Sequence, residues 1–112
     1  MGKTRVFVYG TLMDPVVVRE VTGRTFPTRP AQVDGHQRIV PDRGYPYLIA
    51  GTGRVEGNIL EDVDDDALAA LDRYEEEGHL YLRRTVLARI ADETVDCETY
   101  LGNLAVIPHC WR

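Results

Sequence analysis

The amino-acid sequence predicts one α+β domain, mostly strands, with two short helices. Three observations carry this. Stretches rich in β-branched and aromatic residues recur along the chain and are bounded by Gly, Pro, Asn or Asp. Only one stretch, around Leu68 and Leu71, keeps a clear helical period. The 112 residues suit a single domain, which at this size buries roughly two-thirds of its unfolded surface and needs no disulfide staples. No repeat, low-complexity tract or linker divides the chain. The expected domain is therefore residues 1–112, with 102–112 a tail of no clear period.

Arg5-Val6-Phe7-Val8-Tyr9 reads as a short buried strand and Gly10–Met13 as a loop. Asp14 then offers an N-cap acceptor and Pro15 a first helical residue, opening a short helix through Val21 that its β-branched residues weaken. Gly23–Pro30 is a connector, and Ala31–Val40 a strand interrupted by Gly35. Pro46 restricts Tyr45–Ile49 to an edge or irregular strand. After Gly51-Thr52-Gly53, Arg54–Leu60 alternates as a strand in which Gly57 marks a close approach. Asp64 caps the clear helix, which ends near Tyr74 or Glu75. Leu80–Ile90 and Thr94–Leu101 form a hairpin across Ala91-Asp92-Glu93.

The formal charge of −5 is uneven. Residues 61–77 hold nine acids and one base, so that segment carries −8 and the remainder +3. The plain reading of the segment is a solvated helix face with its capping residues. An acidic balance argues against nucleic acid as a partner, because neutralising phosphates requires basic residues. The longest apolar run is five residues, so no membrane-spanning helix is expected. No apolar stretch of leader length stands before Val6, so no secretory signal is expected. Cys97 shares the apolar side of a strand with Val95 and reads as a small buried hydrophobe, Cys110 lies in the tail, and the three histidines lack ligand spacing. The expectation is a reduced, cytoplasmic protein without a metal site.

Three places could carry chemistry. In Tyr9-Gly10-Thr11-Leu12, between a strand and a helix start, Gly10 allows backbone N–H groups to turn to one side and a ligand to come close, which suits a carboxylate or a developing oxyanion. Taken alone, the pattern is more simply an ordinary strand-to-helix turn. Glu75 is the second. With Leu68 at zero and about 100° per residue, Leu71 falls near ~300° and Glu75 near ~340°, whereas Glu76 and Glu77 fall near ~80° and ~180°. Glu75 thus extends the inward row, where desolvation and the helix C-terminus would raise its pKa toward that of a general acid–base. On periodicity alone, a helix that stops before Glu75 and leaves all three glutamates in solvent fits equally. The third is the group Tyr45, Tyr47, Tyr81 and Tyr100 with Arg83 and Arg84. Tyr81 could orient a polar group, and the two arginines read as half-buried wall and rim.

Together, V-F-V-Y-G-T-L-M, R-V-E-G-N-I-L, L-D-R-Y-E and Y-L-R-R-T-V resemble the gamma-glutamylcyclotransferase-like family, within it the small bacterial members of the AIG2-like group, from about Val6 to Leu101. The resemblance implies a small mixed β-barrel flanked by short helices. It implies a cofactor-independent enzyme that releases 5-oxoproline from a small-molecule γ-glutamyl amine or amino acid by attack of the α-amine on the γ-carbonyl. The loop Tyr9, Gly10, Thr11, Leu12 would hold the glutamyl part, Tyr81 would contact substrate, and Glu75 would be the acid–base. The family often places glycine directly after that glutamate, whereas here the run is Glu75-Glu76-Glu77-Gly78. A shifted register would select Glu77; the Leu71-Asp72 spacing and the helical wheel select Glu75. The competing class is a non-catalytic small-ligand or protein-binding module on the same fold. Oligomeric state and the leaving amine are not encoded in any motif.

Overall fold

A computed structural model describes residues 2–42 and 44–107. Its strands are β1 (Lys3–Val8), β2 (Thr28–Ile39), β3 (Tyr47–Asp64), β4 (Tyr81–Ile90) and β5 (Glu93–Gly102), and its helices α1 (Pro15–Thr22) and α2 (Asp65–Tyr74). The strand order β1-β3-β2-β4-β5 curves until its ends meet, closing a barrel. Neighbours are antiparallel except at the closure, where β1 pairs β5 in parallel through Val6 and Glu98. Among the described residues no helix is long and apolar enough to cross a membrane.

β1 is apolar on both faces because both faces are buried. Phe7 and Tyr9 pack inside the barrel with Val33, Leu48, Ile59 and Cys97. Val6 and Val8 face outward, under α1 and α2, against Val18, Leu60, Ala67 and Leu71. A continuous apolar run replaces alternation wherever helices cover a sheet. Burial pushes the Cys97 thiol up to about 12, which leaves it a packing residue. Cys110 and Trp111 lie outside the described residues.

Both helices follow from their caps. The Asp14 carboxylate accepts from the Val16 N–H at 2.9 Å, Pro15 opens α1, and Gly23 closes it at φ 77°. The Asp64 carboxylate accepts from the Ala67 N–H at 2.9 Å and also pairs with Arg24. Those contacts, the amide first, hold the Asp64 carboxyl below the usual range. Asp65 and Asp66 occupy the positive first turn.

Two boundaries differ from the sequence reading. The segments around Tyr45–Ile49 and Arg54–Leu60 are parts of one strand of 18 residues. Gly51, Thr52 and Gly53 face the single residue Gly35, so the glycines mark a bulge inside a ladder. Nor is Tyr47–Ile49 an edge: Pro46 stands just before the strand, and Leu48 pairs both Arg38 and Leu101. β2 likewise starts earlier, at Thr28, running through Pro30. The acidic segment is less solvated than its composition implies, since Glu61 pairs with Arg5 and Arg29, and Asp72 with Arg83.

Candidate active site

α2 ends in a Schellman turn. The Glu77 N–H donates to the Asp72 carbonyl (2.9 Å) and the Glu76 N–H to the Arg73 carbonyl (3.2 Å), with Glu76 at φ 51°. Glu75 is the helix C-cap, still at φ −85° and ψ −1°, and its N–H donates to the Leu71 carbonyl at 2.9 Å. It therefore keeps the helical phase of Leu68 and Leu71. Glu77 lies beyond the left-handed residue, is exposed, and accepts from the Arg83 N–H at 3.3 Å. The missing glycine is explained too. The position after Glu75 is left-handed, a conformation glycine adopts without strain and Glu76 adopts here.

Glu75 lines a cavity of about 210 Å3 together with Tyr9, Gly10, Thr11, Leu12 and Tyr81. The six residues that the resemblance assigns to the site thus meet at one place, and Glu77 is not among the lining residues. The wall also takes in Tyr45, Tyr74 and Tyr100. Tyr45 and Tyr100 are among the aromatic candidates of the sequence, while Tyr74 enters there only as a helix end; its position directly before Glu75 was the available signal. Tyr47 is not on the wall: its ring packs where a Cβ on Gly102 would stand, 2.6 Å away.

Each wall residue has a structural reason for its place. The Tyr9 hydroxyl donates to the Tyr100 carbonyl at 2.5 Å, and the Tyr81 hydroxyl to the Pro46 carbonyl at 2.9 Å. Tyr81 therefore fixes the segment before β3 against β4. Thr11 Oγ1 shares a hydrogen bond of 2.9 Å with the Tyr74 hydroxyl. Gly10–Met13 close a 3-10 turn through Met13 N–H to Gly10 O and Asp14 N–H to Thr11 O. The Thr11 and Leu12 amides open that turn and so take no partner within it. A Cβ on Gly10 would meet no protein atom within 4 Å, so packing does not demand glycine there. Neither arginine candidate lines the cavity: Arg83 is half-buried and bonded to Asp72 and Glu98, and Arg84 is exposed.

Desolvation pushes the Glu75 carboxyl up from 4.5 to about 7, and no cation among the described residues pairs with it. The sign of the consequence is fixed. Between pH 4.5 and about 7 the unfolded chain ionises Glu75 while the folded one keeps it protonated, so this group's contribution to stability falls by about 2–3 kcal/mol as pH rises through that window. Urea unfolding at pH 5 and pH 8 measures the drop; Asp64, whose folded carboxyl is held low, is ionised in both states across that range and adds no slope there. A Glu75 contribution that rose with pH would contradict the buried, unpaired carboxyl.

The arrangement offers one carboxyl that can take or give a proton near neutral pH, beside backbone amides that can meet negative charge. Among the described residues no group of three His, Cys, Asp or Glu is gathered as a metal would need. Fold and site together define a β-barrel domain whose cavity of about 210 Å3 holds a carboxyl raised toward neutrality. The chain belongs to the gamma-glutamyl cyclotransferase, AIG2-like family, whose model matches residues 6–110. AIG2-like protein C of Arabidopsis thaliana is 36% identical over 100 residues, covering 86% of this chain and 57% of that protein. AIG2-like protein D of the same plant is 37% identical over 101 residues, covering 86% and 65%. The chain thus spans less than two-thirds of the length of these relatives. Among solved structures, the solution structure of another Arabidopsis thaliana protein superposes with a TM-score of 0.85 at 31% identity, covering 100% of this chain and 76% of that one. A gamma-glutamyl cyclotransferase shares the fold at a TM-score of 0.79 and 15% identity, covering 91% and 68%.

Proposed function

We propose that this protein releases 5-oxoproline from a small γ-glutamyl amine or γ-glutamyl amino acid, with Glu75 as the acid–base. The observation that carries this reading is the half-buried Glu75 carboxyl, raised to about 7, in one cavity with the Tyr9–Leu12 loop. Ring closure needs little else, since nucleophile and electrophile already sit in one molecule and the protein has only to fold it and move protons. Glu75 takes a proton from the α-ammonium. That proton passes to water; the α-nitrogen then forms its bond to the γ-carbon and gives its second proton to Glu75, while the oxygen takes up negative charge, whose stabilisation we assign to the Thr11 and Leu12 amides. The C–N bond to the leaving amine breaks, and Glu75 returns the proton to that nitrogen. A cavity of about 210 Å3 is smaller than the roughly 300–1,000 Å3 of drug-sized sites. It fits a folded glutamyl group with the leaving amine toward the opening.

A panel of γ-glutamyl amines and γ-glutamyl amino acids, scored for 5-oxoproline, tests the reading. Release from at least one member is expected, with kcat/KM rising through about pH 7 as Glu75 ionises. A folded protein that is silent across the panel, yet binds a member in calorimetry, would be a binding module instead.

A further inference from the structure

The loop and the helix end that meet at the cavity are tied by two contacts of unequal protection. The outer one, between the Thr11 and Tyr74 hydroxyls, is exposed, and water competes for both partners. The inner one runs through Tyr100, which is 2% exposed. The Tyr100 carbonyl accepts from the Tyr9 hydroxyl at 2.5 Å, and the Tyr100 hydroxyl donates to Asp72 Oδ1 at 2.7 Å. Tyr9 immediately precedes Gly10, and Asp72 stands about one helical turn before Glu75. One β5 residue thus holds both halves of the site. Asp72 is held in turn from β4, where Arg83 Nε donates to Oδ1 at 2.9 Å while Arg83 Nη1 reaches Glu98 at 2.9 Å.

We propose that Tyr100 is a positioning residue for the acid–base step, setting Glu75 relative to the Thr11 and Leu12 amides by tying the last turn of α2 and the loop to one point on β5. Its kinetic consequence rests on the function proposed above; its geometry does not. A part-buried bond from a hydroxyl to a carboxylate is stronger and more directional than the exposed hydroxyl pair. Burial, with Asp72 adding to it, holds the Tyr100 phenol well above its ordinary range, so it stays a donor at any working pH. The groups facing Glu75 are Tyr9 at the end of β1, Tyr81 on β4 and Tyr100 on β5, each coupled to its charge. Tyr45 and, on its own element, Tyr74 and Glu76 share the cavity wall. None of these is a cation that would lower it.

Tyr100→Phe removes one oxygen and leaves the Tyr9-to-carbonyl bond in place. The Glu75 carboxyl carbon, followed by NMR without substrate, is expected to titrate about one pH unit lower than in the wild type, as the loosened helix end admits water. Asp72→Ala cuts the same bond from the other side and shifts the midpoint in the same direction. The double variant is expected to shift no further than the larger single shift. In turnover, kcat falls roughly tenfold while KM stays within about twofold, because placement rather than affinity is lost. An unchanged or raised midpoint in Tyr100→Phe overturns the proposal, as do shifts that simply add, or a lowered Tm with both readouts unmoved. If the wild type releases no 5-oxoproline, the functional reading falls while the two titrations still judge the positioning.

Discussion

Glu75→Gln is expected to lower kcat/KM for 5-oxoproline release by at least ~10³-fold, with the protein fully folded, because general acid–base catalysis commonly contributes 10²–10⁴. Glutamine keeps the volume and one hydrogen-bonding oxygen but takes no proton. The α-ammonium then has no acceptor in the cavity and the leaving amine no donor. Glu77→Gln is the paired experiment. Glu77 is exposed beyond the left-handed Glu76 and reaches only the Arg83 N–H, so its loss is expected to cost less than about threefold. The reverse ranking would put the site in the other register and remove Glu75 from the mechanism. Glu75→Gln also carries a stability signature. It has no carboxyl to desolvate, so above pH 7 it should exceed the wild type by about 2 kcal/mol. A variant both inactive and more stable is the mark of a site strained for function.

Gly57→Ala is expected to destabilise the fold by about 3 kcal/mol, lowering Tm by more than about 10 °C. Gly57 lies on β3, paired with Ala31 of β2. A Cβ there would stand 2.3 Å from the Val8 carbonyl oxygen and 2.8 Å from the Phe7 ring. Neither is a flexible end that can swing aside: one is backbone, the other a ring buried in the barrel. β1 would have to retreat from β3. Val8 leads directly into Tyr9, so the displacement would pass into the loop, and turnover should fall along with Tm. Gly51→Ala is the control, its nearest contact being Gln37 Cβ at 3.2 Å on an exposed surface; it should cost under ~1 kcal/mol. Thermal melts of both variants measure the contrast, and a Gly57→Ala protein melting within about 2 °C of the wild type would contradict the close approach.

Local physics made much of this legible in the chain. Asp14-Pro15 and Asp64 announced both helices because an N-cap is chosen by side-chain chemistry within a few residues. The unbroken Val6–Tyr9 run announced a strand covered on both faces. Glu75 was a candidate because the phase set by Leu68 and Leu71 carries to it, and the helix keeps that phase through its C-cap. The bulge at Gly51–Gly53 was read as a break, since a glycine cluster looks the same in a turn and in a ladder until the partner strand is known.

The sequence by itself determined the element types, the two caps and the family, all of which depend on residues close together in the chain or on patterns spanning it; it left the inward phase of Glu75 open, and the C-cap geometry settled it. Only the tertiary structure decided which candidates meet. Tyr9, Glu75, Tyr81 and Tyr100 come from four separate segments, and closure of β1 onto β5 brings them to one cavity. It also decided the protonation of Glu75. Desolvation depends on every atom packed around a carboxyl, and no local pattern encodes it. The acidic segment makes the same point. Its composition reads as a solvated face, yet the fold places Asp72 against Arg83 and Tyr100, Glu61 against two arginines, and Glu75 at the cavity with no cation among the described residues beside it.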